Sequence, residues 1–314
     1  MNPSPKHTPL LILGAGPAGL AAALYAARAD LQPVVLTGPE LGGQVAITYM
    51  VENYPGFPEG VEGPDLVARF KEQAEKFGAQ LVLDTATAVD FSQRPFRIQT
   101  TKTEYTADTV IIATGATAKQ LEVPGEEEFI GTGVSYCATC DGHFFKGMDV
   151  MVVGGGDSAL EEALFLTRYA NTVTVVHRRD ALRAGPLLQK RARSHPKIRF
   201  LLESVVTDIL GDDVVESVRL RHVSSGETSE LPVSGVFIFI GHHPNTDLFE
   251  DQLELDARGY VITDKHMRTN IPGVFAAGEV ADSRYRQVIT SAGMGAAAAM
   301  EVTHYLENLS DATP

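Results

Sequence analysis

The sequence contains very few cysteines. Its 314 residues include only two, Cys137 and Cys140, which form a single C-x-x-C. A secreted domain held together by disulfides would carry more cysteines at wider spacings. The cysteine content therefore argues against such a scaffold and favours a cytosolic protein whose two thiols serve chemistry.

Positive charge is also scarce. The chain has 26 Lys and Arg residues against 40 Asp and Glu residues, and its formal net charge is -14. Nucleic acids and anionic membranes would be repelled by such a protein. We therefore expect neither as a partner, and any basic cluster requires a local explanation.

A long uninterrupted hydrophobic span is missing as well. Residues 10–27 carry no charge, and by length this run resembles a membrane span or a signal sequence. Gly14, Gly16, Pro17 and Gly19 lie within it and would break a spanning helix. A strand, a tight glycine turn and a buried helix explain the run better.

The chain contains two strand–turn–helix–strand patterns. The first predicts a strand at 10–13, a glycine turn at 14–19, a helix to about residue 28 and a strand at 34–36. The second predicts a strand at 149–153, a turn at 154–159, a helix at 160–168 and a strand at 172–176. Two such mononucleotide-binding units indicate two nucleotide sites in two domains.

The remaining strand-like segments suggest how the domains are connected. Segments 109–115, 236–241 and 273–278 are apolar and end in glycine, and Pro and Gly occur near 119–125 and 241–247. We predict an α/β protein with two Rossmann-like, three-layer domains, the second inserted into the first. The expected bounds are 1–118 with 248–314 for the first domain and 119–247 for the second.

Each glycine turn has the spacing of a dinucleotide site. The first glycine permits the bend, the second lets the backbone approach the pyrophosphate, and the third position allows close helix packing. These positions are Gly14, Gly16 and Gly19 in the first unit and Gly154, Gly156 and Ala159 in the second. The motif alone is weak evidence, but here each copy follows a predicted strand and opens a predicted helix.

The end of the following strand distinguishes the two nucleotides. In the second unit it carries His177, Arg178 and Arg179, with Arg183 one helical turn beyond. Arginines there suit a ribose 2′-phosphate, so we place NADPH in the second domain. The alternative is a solvated basic face continued by Lys190, Arg191 and Arg193. The first unit has Thr37 and Gly38 at this point, which predicts a different nucleotide.

The C-x-x-C is expected to be redox-active. Such a dithiol tends to have one lowered thiol pKa and passes two electrons through a mixed disulfide, and Asp141 could move the proton. A zinc site would have only Cys137, Cys140 and His143, whereas closed structural sites need four ligands, so we expect no metal. A dithiol between two dinucleotide sites suggests an electron path from NADPH through a flavin to a disulfide.

The whole pattern resembles the bacterial-type, low-molecular-weight thioredoxin reductases, from about residue 10 to residue 306. The matching motifs are GAGPAG at 14–19, GGQ at 42–44, ENYPG at 52–56, ATG at 113–115, CATCDG at 137–142, GGGDSA at 154–159, HRRD at 177–180 and RQ at 286–287. Several occur in related flavoproteins, but CATCDG joined to HRRD is specific to this family.

The resemblance implies a thioredoxin-disulfide reductase that passes electrons from NADPH to FAD, to the Cys137–Cys140 disulfide and then to thioredoxin. It implies that Cys140 lies against the isoalloxazine, that Cys137 attacks the partner disulfide, and that Asp141 is the acid/base. It further implies a homodimer in which the NADPH domain rotates against the FAD domain, with hinges near the two domain crossings.

The resemblance also assigns cofactor residues. For FAD these are Gly14, Gly16, Pro17, Ala18, Gly19, Thr37, Gly38, Glu40, Gly43, Gln44, Asn53, Ala113, Thr114, Gly115, Gly278, Glu279, Arg286, Gln287 and Val288. For NADPH they are Gly154, Gly156, Asp157, Ser158, His177, Arg178, Arg179 and Arg183. Two positions depart from the family: Glu279 stands where Asp is usual, and His143, to which we assign no catalytic role, stands where an aromatic residue is frequent.

Other functions stay open at this point. The flavoprotein subunit of alkyl hydroperoxide reductase has an extra N-terminal thioredoxin-like region, which we expect to be absent because the first strand begins near Leu10. Ferredoxin- and flavodoxin-NADP reductases lack the C-x-x-C. A thiol oxidase remains an alternative, as does a nucleotide-binding protein with a degenerate site, although the intact dithiol disfavours the latter.

Overall fold

A computed structural model describes residues 5–39, 41–48 and 50–311. It divides the chain into two compact units, Met1–Thr117 with His243–Pro314 and Ala118–His242. We call them unit 1 and unit 2. Unit 2 is therefore an insertion in the sequence of unit 1.

The elements fall in the following order. The strands are β1 (Lys6–Leu13), β2 (Val34–Leu36), β3 (Met50–Val51), β4 (Val61–Glu62), β5 (Gln80–Val82), β6 (Ala86–Asp90), β7 (Phe96–Thr100), β8 (Glu104–Ile112), β9 (Ala116–Ala118), β10 (Val134–Ser135), β11 (Asp149–Val153), β12 (Thr172–Val176), β13 (Ile198–Leu201), β14 (Ser204–Gly211), β15 (Val215–His222), β16 (Thr228–Pro232), β17 (Gly235–Ile238), β18 (His242–Pro244) and β19 (Val274–Ala276). The helices are α1 (Pro17–Arg28), α2 (Gly63–Lys76), α3 (Ala138–Asp141), α4 (Asp157–Leu166), α5 (Pro186–Arg193) and α6 (Val288–Asp311). Short 3-10 helices cover Gly43–Ile47, Gly142–Phe145 and Asp247–Phe249.

The main sheet of unit 1 has the order β5-β2-β1-β8-β7-β6. Strands β5, β2, β1 and β8 are parallel, whereas β7 and β6 are antiparallel to their neighbours. The long strand β8 pairs with β7 along its first half and with β19, in parallel, along its last three residues. The carboxyl ends of β1, β2, β8 and β19 therefore lie at one edge of the sheet.

Apolar side chains cover both faces of this sheet. Leu10, Leu11 and Ile12 in β1 have no solvent exposure, which explains why this strand is a continuous hydrophobic run. One face packs against α1, α2 and α6, and the other against a cluster around Phe96 and Phe249. Unit 1 is thus layered, with the parallel strands in the middle.

Helices α1 and α6 approach each other very closely. A Cβ atom built on Gly295 in α6 would collide with the carbonyl oxygen of Ala18 in α1. By contrast, apart from its chain neighbours and its own helix backbone, no atom of the described residues lies within 4 Å of a Cβ built on Gly293 in the same helix. Only the glycine at 295 is required by packing.

Unit 2 is also layered around a parallel sheet, but different elements pack on the two faces of that sheet. Its five-stranded parallel sheet has the order β10-β17-β11-β12-β13. Helices α4 and α5 contribute to the cluster on one face, and the antiparallel meander β14-β15-β16 contributes to the cluster on the other.

The predicted α/β class with two Rossmann-like units is confirmed. Strands β2, β11 and β12 have the predicted bounds, whereas β1 begins four residues before the predicted start at residue 10. Helix α4 begins at Asp157 rather than residue 160, because the helix starts directly from the glycine turn. No helix within the described ranges has both the length and the apolar character needed to span a bilayer.

The close approach of α1 and α6 generates a paired prediction. We expect Gly295→Ala to lower the free energy of unfolding by about 1–3 kcal/mol, because the added methyl group overpacks a backbone contact. The matched change Gly293→Ala should raise it by up to about 1 kcal/mol, since alanine favours an unobstructed helix position. Urea unfolding measures both, and equal effects of the two changes would contradict the packing of α1 on α6.

Candidate active site

The first glycine turn is built on contacts between backbone atoms. The N–H of Gly14 donates to Leu36 O at 2.9 Å, and the N–H of Ala113 donates to Leu13 O at 2.8 Å. A Cβ on Gly14 would collide with the carbonyl oxygen of Ala113, and a Cβ on Gly19 would collide with that of Gly14. The predicted segments 14–19 and 113–115 therefore meet at the edge where β1 and β8 end.

The loop after β2 lies against the same turn. The N–H groups of Thr37 and Gly38 donate to the carbonyl oxygens of Val82 and Asp84 at 3.0 and 3.1 Å. Further along, the N–H of Gly42 donates to Ala15 O at 3.0 Å. A Cβ on Gly43 would lie 3.8 Å from the Cα of Gly16, so Gly43 and Gln44 start their 3-10 helix beside the turn. Glu40 lies outside the described residues.

The C-terminal segment of unit 1 reaches the turn as well. A Cβ on Gly278 would lie 2.7 Å from the Cβ of Ala18. The side chain of Asn53 donates from Nδ2 to Oε1 of Gln287 at 3.0 Å, which joins two predicted site residues far apart in sequence. Val288 is the first residue of α6 and follows Gln287 directly.

Asp282 shapes the loop that carries Arg286 and Gln287. Its carboxylate accepts hydrogen bonds from the N–H groups of Arg284, Tyr285 and Arg286 at 2.8, 2.9 and 3.2 Å. Sequence reasoning missed this residue. The signal was available, because Asp commonly organises the backbone that follows it.

Glu279 is a carboxylate held in a poorly solvated position. Burial raises the pKa of Glu279 to about 7, the positive charge of Arg286 opposes that rise, and Asp282 adds to it. A substantial fraction of this side chain is therefore protonated near neutral pH and can donate as well as accept a hydrogen bond.

These features fit FAD in unit 1. The described residues supply no side-chain cap for the N-terminus of α1, whose N-cap is Gly16, so its N–H groups remain for an anion such as a pyrophosphate. A Cβ on Gly16 would have no neighbour closer than 4.0 Å. The cradle is therefore lined by backbone and is open where a phosphate would lie.

The second glycine turn has the same construction. The N–H of Gly154 donates to Val176 O at 3.0 Å, and a Cβ on Gly154 would collide with the carbonyl oxygen of Phe239. Gly156 is the N-cap of α4, again without a side-chain cap from the described residues, and Ser158 lies in the first turn of α4. The two units thus have equivalent glycine turns, each followed by a helix N-terminus without a side-chain cap from the described residues.

Residues 183–185 are hydrogen-bonded to the second glycine turn and to the first residue of α4. The N–H groups of Arg183 and Ala184 donate to Gly155 O at 2.7 and 3.1 Å. The side chain of Asp157 accepts from Gly185 N at 2.7 Å. Our prediction that Arg183 follows one helical turn after Arg179 is wrong, because these hydrogen bonds hold the segment in an irregular conformation.

Three exposed arginines gather around a buried histidine. Arg178, Arg179 and Arg183 are exposed, whereas His177 is only 7% exposed. A Cβ on Gly155 would lie 2.5 Å from the His177 ring, so the imidazole packs directly on the glycine turn. Burial lowers the pKa of His177, and the charges of Arg183, Arg179 and Arg178 lower it further. The three guanidinium groups therefore act on one small region, next to the open turn.

The dithiol lies at the start of the short helix α3. Cys137 and Cys140 form a disulfide, and the N–H of Cys140 lies 3.2 Å from Cys137 Sγ. Ser135, at the end of β10, accepts from the N–H of Cys137 at 3.0 Å. Its hydroxyl donates to Oδ2 of Asp141 at 2.6 Å. One buried hydroxyl therefore links the disulfide to the neighbouring carboxylate.

Two opposing influences act on Asp141. Burial raises the pKa of its carboxyl group, whereas the Ser135 hydrogen bond and the nearby His143 lower it. His143 packs against Phe144, with ring centroids 3.9 Å apart. Asp141 is therefore an acid whose proton is held more firmly than that of an exposed aspartate.

Ser135 is a residue beside the disulfide that sequence reasoning missed. It lies outside the CATCDG motif, and its spacing from Asp141 follows only from how β10 leads into α3.

Among the described residues, no group of three or more His, Cys, Asp or Glu side chains could hold a metal ion.

Comparison with known proteins identifies the family. A sequence model of the pyridine nucleotide-disulphide oxidoreductases matches residues 8–295. The chain is 52% identical to a thioredoxin reductase of Rickettsia bellii, over 95% of this chain and 98% of that protein. It is 49% identical to one of Streptomyces coelicolor, over 96% of this chain and 95% of that protein.

A solved structure leads to the same family. The crystal structure of thioredoxin reductase from Streptococcus pyogenes superposes with a TM-score of 0.93 at 45% identity, covering 97% of this chain and all of that one. The resemblance predicted from the sequence motifs is thereby confirmed. Because the family model spans residues 8–295 and the curated relatives match this chain over nearly its full length, the chain belongs to the pyridine nucleotide-disulphide oxidoreductase family.

Proposed function

We propose that this protein is an NADPH-dependent thioredoxin-disulfide reductase. The observation that carries the proposal is the Cys137–Cys140 disulfide, which lies beside Asp141 in the same unit as the second glycine turn. Relatives of the same length that are named thioredoxin reductases support the choice of thioredoxin as the partner.

The two cofactors are assigned by the chemistry of the two turns. FAD is proposed for unit 1, held by the glycine turn, the loop from Thr37 to Gln44 and the C-terminal segment. NADPH is proposed for unit 2, where Arg178, Arg179 and Arg183 suit its 2′-phosphate. FAD, when bound, supplies a carrier that accepts two electrons from NADPH and passes them to the disulfide.

The dithiol then performs thiol–disulfide exchange. The Cys137 thiolate attacks one sulfur of the thioredoxin disulfide, so that a mixed disulfide forms and one thioredoxin thiolate leaves. The Cys140 thiolate next attacks Cys137 Sγ, which releases the second thioredoxin thiolate and restores the Cys137–Cys140 bond. Two electrons pass from the dithiol to thioredoxin, whose two thiolates become thiols by taking up two protons, one proposed to come from Asp141 and the other from solvent.

Asp141 is proposed to supply a proton during this exchange. Because burial raises its pKa, the carboxyl group holds a proton closer to neutral pH than an ordinary aspartate does. Ser135 fixes one carboxyl oxygen and the Cys137 backbone at the same time. The acid is thereby held at a fixed position relative to the backbone that carries Cys137.

A homodimer and a cytosolic location complete the proposal. The dimer follows from the family resemblance, and the location follows from a chain with two cysteines that both take part in exchange. Sedimentation of the purified protein measures the oligomeric state.

The function is tested by NADPH-driven turnover with a thioredoxin. We expect wild-type protein to oxidise NADPH only when oxidised thioredoxin is present. Cys140→Ser should abolish turnover and accumulate a stable mixed disulfide with thioredoxin, because no second thiol releases it. Cys137→Ser is the matched control and should abolish turnover without forming that adduct.

Two results would contradict the proposal. Wild-type NADPH consumption at full rate without thioredoxin would indicate an oxidase. Turnover by Cys140→Ser at the wild-type rate would mean that the disulfide does not relay electrons.

Asp141 generates a prediction on pH dependence. We expect Asp141→Asn to lower kcat/KM for thioredoxin by about 10²-fold, the usual scale for loss of a positioned acid. Because the proton donor works in its protonated form, wild-type activity should decline as the pH rises through the raised pKa of Asp141. That decline should be missing in the variant. Parallel pH profiles for the two proteins would exclude Asp141 as the acid.

The arginine cluster generates a prediction on nucleotide choice. Replacing Arg178 and Arg179 with Gln should raise the Michaelis constant for NADPH by about 10²-fold, because charge-assisted hydrogen bonds to the 2′-phosphate are lost. The constant for NADH should change little. Arg191→Gln, on the exposed face of α5, is the control. Equal effects on both nucleotides would make these arginines surface charges.

A further inference from the structure

Glu126 is a buried carboxylate satisfied by neutral donors. It is only 2% exposed. Oε1 accepts from the N–H of Leu121 at 2.8 Å and from the hydroxyl of Tyr136 at 2.8 Å, and Oε2 accepts from the N–H of Glu122 at 2.6 Å. A buried carboxylate is retained only when its hydrogen bonds are made, so these three donors and Glu126 form one unit of structure.

The groups that donate to Glu126 come from two segments of unit 2. One is the stretch where the chain enters the unit, and the other is the stretch just before Cys137. Leu121 and Glu122 lie just after the chain enters this unit at Ala118. The N–H of Lys119, in the same stretch, donates to Gly241 O at 3.0 Å, one residue before the chain leaves at His242. Glu126 is thus anchored to the segment through which the chain enters unit 2.

Tyr136 is the residue immediately before Cys137. It therefore connects the Glu126 carboxylate to the dithiol through a single peptide bond. Burial raises the pKa of Tyr136, and its hydrogen bond to Glu126 raises it further, so the phenol stays protonated and keeps donating. Gln120, also in the entry segment, acts in the opposite direction and lowers the pKa of Tyr136.

The entry segment is held in an unfavourable backbone conformation. Glu122 has a φ of 59°, in the left-handed region that residues other than glycine rarely adopt. Such a conformation persists only where its surroundings enforce it. In this conformation the Glu122 N–H donates to Glu126, so loss of that bond would remove one contact that holds the residue.

We propose that Glu126 and Tyr136 form a latch that fixes the dithiol to the entry segment of unit 2, with Tyr136 as a positioning residue for thiol–disulfide exchange. The inference rests on the proposed function for its link to turnover. If residues 120–122 are displaced, the hydrogen bonds of the latch displace the peptide that carries Cys137. Misplacing a reacting sulfur by about 1 Å is enough to slow exchange strongly.

The first test measures thiol accessibility without thioredoxin. The protein is reduced with dithiothreitol, and alkylation of Cys137 by iodoacetamide is followed by mass spectrometry. We expect Tyr136→Phe to raise the alkylation rate by about 10-fold, because the lost hydrogen bond to a carboxylate frees the segment. Tyr169→Phe, which removes the hydroxyl of another tyrosine packed in unit 2, should leave it unchanged. Equal rates for Tyr136→Phe and wild type would overturn the latch.

The second test asks whether the two residues act together. Glu126→Gln should raise the alkylation rate to a similar extent, and the double variant should exceed neither single variant, because both changes open the same latch. Amide hydrogen exchange at residues 121 and 122 should also be faster in Tyr136→Phe than in wild type. Additive effects on alkylation, or unchanged exchange at 121 and 122, would show that Tyr136 packs locally and does not reach the entry segment.

Steady-state kinetics separates this proposal from the proposed function. In Tyr136→Phe we expect kcat/KM for thioredoxin to fall by about 10-fold, while NADPH-dependent reduction of ferricyanide, which needs no dithiol, stays at the wild-type rate. If wild type fails to reduce thioredoxin, the proposed function fails while the alkylation and exchange results still decide the latch. A fall in ferricyanide reduction equal to that with thioredoxin would overturn the positioning role.

Discussion

Contact between backbone atoms at the two glycine turns is the constraint on which the rest of the structure depends. In unit 1 the carbonyl oxygen of Ala113 occupies the space where a side chain on Gly14 would lie. The carbonyl oxygen of Gly14 likewise occupies the space where a side chain on Gly19 would lie. Any side chain at either position would separate β1, β8 and α1. The first strand, its helix and the neighbouring strand can therefore pack together only with glycine at these points, and unit 2 repeats the arrangement where Gly154 meets Phe239.

This constraint also determines where chemistry is possible. Because the turns leave the N-termini of α1 and α4 without side-chain caps from the described residues, each unit has one edge whose backbone N–H groups suit an anion. Segments distant in sequence converge on that edge, as the hydrogen bond between Asn53 and Gln287 illustrates. The exposed arginines Arg178, Arg179 and Arg183 beside the second turn distinguish it from the first, and in the proposed function they select NADPH.

The parts of this design that repeat a local pattern were predictable from the sequence. Strands β11 and β12 have the expected bounds because buried parallel strands are continuous apolar runs between turn residues. Ser135, Glu126 and Asp282 were missed because single polar residues carry no periodicity and their roles depend on partners that folding brings together. The segment after Arg179 was predicted as a helical turn, but hydrogen bonds to Gly155, invisible in a local pattern, decide its conformation.

The missed residues share a physical role, which is to place carboxylates among neutral hydrogen-bond donors. The protein holds several buried or half-buried carboxylates with neutral donors rather than with cations. Backbone N–H groups and a phenol satisfy Glu126, and a serine hydroxyl contacts Asp141. Neutral donors stabilise a carboxylate less than a cation would, so the pKa of Asp141 stays raised by burial. A salt bridge at that position would have kept the carboxylate ionised and removed the proton that a departing thiolate requires.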